Sequence, residues 1–165
     1  AWHHAAQCAA QSNERLRFVM NLDGAGRGTG GQEQLVLSSL PELVPYFERL
    51  GREMAYSFTI RNELNSHSDH FPFAIRGIPN GTLNSRDATA GMIGRGWGHT
   101  EADTLDKVHL RGLQSAAVLV ARLAVRLAED DDFPGRQRTI DEVREQLREA
   151  GILERQEQAG RFPPA

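Results

Sequence analysis

The sequence predicts an α/β layer fold. Short β-prone apolar runs alternate with amphipathic stretches, one strong helical period runs from Asp106 to Ala128, and clusters of Gly, Asn, Asp and Pro separate the segments. At 165 residues the chain is long enough for one domain with its own core.

The elements follow in order. Residues 1–13, rich in Ala, Gln and His, read as the remnant of a helix whose partner surface lies elsewhere. Leu16 to Leu22 is an apolar run of buried-strand length that ends in Asp23. Gly24 to Gly31 is a glycine-rich loop, and Gln34 to Ser39 reads as a second strand. Pro41 to Arg52 reads as a helix, with Pro41 in its first turn and Ser39 as a candidate cap. Tyr56 to Ile60 alternates as a strand does, and Asp69 to Arg76 resembles a short helix. Ile78 to Leu83 is a further strand, with Asn80-Gly81 as a bulge or turn. Asn84 to Gly98 has no period, and a loop of that length is functional or disordered.

Within the long helix Leu110, Leu113, Ala117, Val120, Ala124 and Leu127 recur at helical spacing. Asp130-Asp131-Asp132 and Pro134-Gly135 end it. Thr139 to Glu142 is a capping box that opens a last amphipathic helix through Ala150, with Gly151 as its stop. The polar, then Pro-rich tail to Ala165 is expected to fray. The chain thus divides into 1–14, 15–128 and 129–165.

Composition excludes several function classes. A net charge of -3 and a pI near 6.1 leave no dominant basic face, which argues against a nucleic-acid partner. The single Cys8 excludes an internal disulfide framework and a cysteine-rich zinc module. No apolar run approaches ~18 residues, the length of a membrane span. No signal-peptide pattern is visible, the first residues read as a cut end, and the compartment stays open.

The most informative chemistry lies in Gly96-Trp97-Gly98-His99-Thr100-Glu101-Ala102-Asp103. A neutral imidazole in a loop ahead of a long helix is a good metal ligand, and a nearby carboxylate fixes its tautomer. Asp103 suits that task, and it equally suits the N-terminus of the helix. Asp23, at a strand end, is a ligand or a turn residue. Gly26 to Gly31 matches a dinucleotide fingerprint formally, but Gln32 to Ser39 is a poor candidate for the helix that must follow it. His67-Ser68-Asp69-His70 suggests a triad or a metal pair, or a polar turn in which Asp69 caps the helix of Phe71 and Phe73.

Taken together, Val19-Met20-Asn21-Leu22-Asp23, then Ser68-Asp69-His70-Phe71-Pro72-Phe73 with Gly77-Ile78-Pro79, then His99-Thr100-Glu101-Ala102-Asp103-Thr104 carry a resemblance. From about Arg15 to Leu127 the chain resembles the C-terminal half of the two-zinc aminopeptidases, metallopeptidase family twenty-eight. That family includes bacterial secreted aminopeptidases and relatives of glutamate carboxypeptidase and the transferrin receptor. The resemblance implies a partial mixed sheet flanked by helices, part of a zinc-exopeptidase (phosphorylase/hydrolase-like) fold. It implies that Asp23 is a ligand of one zinc and His99 of the other. Asp69 then borders the cleft, Asp103 stands behind the ligand histidine, and Asn84 to Gly98 lines the pocket for a peptide substrate. Some relatives carry a bulky residue, often Tyr, just before that histidine; Gly98 departs from this.

The implied reaction is attack of a metal-activated water on a peptide carbonyl, with a Glu as general base. The family's His ligand, bridging Asp and Glu-Glu pair all precede the strand-end Asp. Here only Glu14 precedes Asp23 as a Glu, and His3 and His4 do not sit in the expected motif. The expectation is an incomplete peptidase, with no general base of its own, inactive alone and dependent on a missing N-terminal half or prone to self-association. Two alternatives are a non-catalytic interaction domain that retains the scaffold, and a nucleotide-binding module at the glycine loop.

Overall fold

The computed structural model describes residues 1–10, 16–26, 32–86 and 99–163. Four strands form one sheet: β1 (Val19–Leu22), β2 (Gln32–Leu37), β3 (Thr59–Asn62) and β4 (Asn80–Arg86). Their spatial order is β1-β4-β2-β3. β1 runs parallel to β4, β2 antiparallel to β4, and β3 parallel to β2, so the sheet is mixed, as expected. Asn80 and Gly81 form neither bulge nor turn. They pair in register with Val19 and Met20, and Gly81 also with Leu37. Gly81 is needed there because a Cβ would lie 2.9 Å from the Val36 carbonyl oxygen and 3.2 Å from the Phe18 ring.

The helices are α1 (Trp2–Ala10), α2 (Val44–Glu53), α3 (Phe71–Ala74), α4 (Leu110–Glu129), α5 (Ile140–Glu149) and α6 (Leu153–Gln158), with 3-10 turns at Pro41–Leu43 and Leu105–Lys107. Strand alternation sends Leu35, Leu37 and Leu83 to one face of the sheet, where Phe47 and Leu50 of α2 and Leu119, Leu123 and Leu127 of α4 close the main core. A second core joins Phe71 of α3 and Ile75, which follows it, to Val143, Leu147 and Phe162. A third joins Ala5 and Cys8 of α1 to Phe73 and Ile78. No described helix is long and apolar enough to cross a membrane.

Three local expectations change. Ser39 caps nothing; the Leu40 N–H instead donates to Asn62 Oδ1 at 2.6 Å. The long helix starts at Leu110 rather than Asp106, and its cap is His109, whose Nδ1 accepts the Gly112 N–H at 3.0 Å. Its buried stripe is Gly112, Ala116, Leu119, Leu123 and Leu127, whereas Leu110, Leu113, Ala117 and Ala124 are exposed. The helix is apolar almost all round, so its period marks a helix without choosing the buried face.

The tail is also better ordered than expected. The Thr139 capping box is present, with the Arg136 guanidinium and then the Thr139 N–H holding the Glu142 carboxyl down to about 2. Gly151 ends α5 at φ 68°, and the chain then forms α6 and buries Phe162 to 2 % exposure. Isolated apolar residues such as Ile152 and Phe162 gain their order from the second core, not from a local period.

Candidate metal centre

β1 ends at Leu22, and the chain leaves it under tight control. Asp23 N–H donates to the Leu83 carbonyl at 3.2 Å, and Gly24 O accepts from Ser85 N–H at 3.3 Å. Gly26 O accepts the His109 N–H at 2.8 Å. Gly26 itself has φ 73°, and a Cβ there would lie 3.0 Å from Leu113 Cβ, so only glycine lets this turn close on α4. The strand's alternation then turns Asn21 and Asp23 to the sheet face opposite the main core.

On that face the loop before α3 meets them. Ser68 Oγ donates to Asp23 Oδ2 at 2.6 Å and accepts from Asn21 Nδ2 at 2.7 Å. One carboxylate oxygen is thereby oriented, and among the described residues no other hydrogen bond reaches the Asp23 side chain. Ser68 holds φ 121°, a conformation that side chains rarely adopt and that persists only where the surroundings enforce it. Asn21 and the Ser68 hydroxyl are the parts of the site that sequence reasoning missed. Their signal is faint: a polar residue two positions before a strand-end Asp, which shares its face.

His70 is fully buried at 1 % exposure. Its Nδ1 lies 2.8 Å from the Thr82 hydroxyl. Its burial and its bond to Thr82 give His70 a structural role under the loop. His67 is exposed and bonded to Asn65, and α3 begins only at Phe71, so the two histidines do not share a helical face. Ser68 bonds Asp23 and Asn21 rather than a histidine, which removes the triad. Asp69 is exposed and does not cap α3, whose N-cap position is His70 without a side-chain bond.

Burial lowers the His70 pKa below its ordinary value, against smaller upward pulls from the Asn65 carbonyl, Asp23 and Asp69. The unfolded chain thus takes up a proton near pH ~6.5 that the folded chain refuses. Stability is full above that pH and falls as the pH drops toward the folded pKa, by at most about 1.4 kcal/mol per pH unit. Urea midpoints at pH 7.5 and 5.5 check this: the native protein loses stability across the interval, and His70→Gln flattens the dependence.

His99 is exposed, with φ 65°, in a turn where Asp103 N–H donates to the Thr100 carbonyl at 3.1 Å. The 3-10 turn Leu105–Lys107 separates it from α4, so it does not stand directly at the helix mouth. Asp103 is exposed and does not cap α4, a task that falls to His109; no hydrogen bond joins it to His99. Residues 87–98 of the expected pocket loop, Gly98 included, and Arg27 to Gly31 of the glycine run lie outside the described residues. The glycine run is followed by β2 rather than by a helix, so the phosphate cradle lacks its helix N-terminus.

A catalytic zinc takes three protein ligands plus a water. Among the described residues no three His, Cys, Asp or Glu side chains converge as metal donors. Ser68 orients the Asp23 carboxylate, yet the described residues alone do not fit a complete zinc site.

No curated protein matches the chain. A sequence model of peptidase family M28 matches residues 2–124, which takes in β1, the Ser68 loop, the sheet and His99. Members of that family are metal-dependent peptide hydrolases, generally with zinc. With well over half of its length inside the match, the chain belongs to peptidase family M28.

Proposed function

We propose that this chain supplies the C-terminal part of a two-zinc aminopeptidase, with Asp23 a ligand of one ion and His99 of the other. A further segment adds the remaining ligands and the Glu base, and the chain alone is inactive. Supporting this reading above all is the position of Asp23 at the end of an edge strand beside an exposed helix flank. Among the described residues β1 pairs only with β4. Val19 and Asp23 N–H donate toward β4, so by alternation those of Met20 and Leu22 face away from it. An open strand edge is a template for another strand.

The uncovered flank lies on the same side. α4 runs antiparallel to β1: Arg17, just before β1, donates to Leu127 O at 3.1 Å, and Gly26, just after it, meets His109 and Leu113. Arg122 donates to Met54 O at 2.7 Å and turns one flank of α4 toward the C-terminal end of α2. The opposite flank of the wheel, with Leu113, Ala117 and Ala124, points past β1. Leu110 is 65 % exposed, Val118 53 % and Val125 54 %, and Ala117, Ala121, Ala124 and Ala128 are exposed with them. A helix apolar on both sides belongs inside a larger layer. A strand and helix laid here would extend the sheet, cover α4 and bring new donors next to Asp23.

When bound, the metal ions supply the activated water and the charge that stabilises the tetrahedral oxyanion. The chain's own share is to hold the Asp23 carboxylate through Ser68 and Asn21 and to offer the His99 imidazole from an exposed turn. Asp69 and Asp103 border that region, and a peptide is the substrate class. One observation favours a second reading, an interaction domain that keeps the scaffold without the site: no three donors converge among the described residues.

Turnover separates the two. Hydrolysis of aminoacyl-p-nitroanilides is expected to be nil for the chain alone and to appear on addition of a polypeptide carrying His-x-Asp and Glu-Glu motifs. No turnover from the pair supports the interaction domain. Turnover by the chain alone contradicts the proposal. Size-exclusion chromatography shows whether, unpartnered, the open edge and flank are covered by a second copy.

A further inference from the structure

We propose that residues 137–163, which lie beyond the family match, act as a brace that holds the Ser68 hydroxyl against Asp23. The loop in question runs from Leu64 to Phe71, and both of its ends are seated on the brace. Leu64 packs against the second core, and Phe71 is 1 % exposed within it, against Val143, Leu147 and Phe162. Phe71 N–H in turn donates to the Ser68 carbonyl at 3.3 Å, so the ring buried by the brace fixes the backbone of the residue that grips Asp23. Two hydrogen bonds secure the far end of α3: Arg138 N–H to Gly77 O at 2.8 Å and Gln137 Nε2 to Arg76 O at 3.1 Å. Gly77 has φ 73°, and a Cβ there would stand 2.1 Å from the Arg138 carbonyl oxygen, so this approach is as close as a backbone allows.

Ser68 needs such support. Its φ of 121° is a strained one for a side-chain-bearing residue, and a strained residue relaxes unless its neighbours over-determine it. The His70–Thr82 bond holds the loop from beneath, and the edge-on Trp2 ring, 6.4 Å from Phe71, holds it from one side. The remaining restraint comes from α5, α6 and Phe162, whose ring is itself covered by Arg144 at 5.5 Å. Without them Leu64, Phe71 and Ile75 would lose their packing together, and the Ser68 hydroxyl would be free to leave Asp23. Leu147 and Phe162 are positioning residues for the carboxylate. That functional consequence rests on Asp23 being a metal ligand; the mechanical link does not.

Amide hydrogen exchange on the full chain tests the link. Phe162→Ala and Leu147→Ala are expected to speed exchange at Phe71, Phe73 and Ala74, the amides bonded to the Ser68 and His70 carbonyls, by about tenfold or more, with β2 unchanged. Leu123→Ala, in the main core, is expected to do the reverse. Phe162→Leu, which keeps an apolar side chain in place, should restore protection. Equal acceleration in both segments, or none at Phe71, overturns the brace. In the assembled enzyme Phe162→Ala is expected to weaken zinc binding about tenfold, as loss of a ligand's outer support does. Unchanged zinc affinity in Phe162→Ala, where Asp23→Ala abolishes it, overturns the link to the site. Should Asp23→Ala itself leave zinc binding intact, the metal reading fails, and the exchange result still decides the brace.

Discussion

Asp23→Ala, made in the assembled enzyme, is expected to weaken zinc binding by more than about 100-fold and to take peptidase turnover down with it. Removing an outer partner of a metal ligand costs about 10–100-fold, so removing the ligand itself costs more. Ser68→Ala should accordingly fall within that smaller range, because it deletes the 2.6 Å hydrogen bond to Oδ2 and leaves the carboxylate. Competition against a chromophoric zinc chelator orders the variants. If Ser68→Ala equals or exceeds Asp23→Ala, the hydroxyl rather than the carboxylate is the metal contact.

The second large effect is on stability. Phe47→Ala should destabilise the chain by about 3–5 kcal/mol, the cost of deleting a large buried ring and leaving a cavity. Phe47 is 0 % exposed and packs against Phe18 at 5.3 Å and Tyr46 at 5.5 Å between ring centroids. Small domains have only about 5–15 kcal/mol in total, so much of the folded population should be lost in mild urea. Urea titration gives the value. A loss below about 1 kcal/mol would mean that the main core is not seated on α2.

The two effects lie on different levels, and the sequence disclosed them unequally. The short apolar run Leu35-Val36-Leu37 is a short-range signal, and so are the Thr139–Glu142 capping box and the Gly151 stop. Those elements were legible. Asp23 stood out because a carboxylate that ends an apolar run is conspicuous. Its grip was not legible, since Ser68 lies 45 residues away and acts through a backbone conformation that composition does not announce.

Other misreadings have equally physical causes. Asn80-Gly81 carries a turn signature, yet the sheet recruits it because Gly81 alone lets the Val36 carbonyl approach. The cap of α4 is an imidazole nitrogen, and histidine is not among the residues that announce a helix start. The buried face of α4 was ambiguous because apolar residues occupy both sides of it. That ambiguity is itself informative: the surplus flank is what a neighbouring strand and helix would cover.

Zinc binding by the isolated chain tests the central claim most directly. On the proposed reading the chain offers one donor to each of two ions, too few for a tight site. Equilibrium dialysis at micromolar zinc is expected to leave the isolated chain without stoichiometric metal, and to give two zinc ions per assembled molecule once the segment bearing the remaining ligands is added. Tight, stoichiometric zinc on the isolated chain would contradict the account.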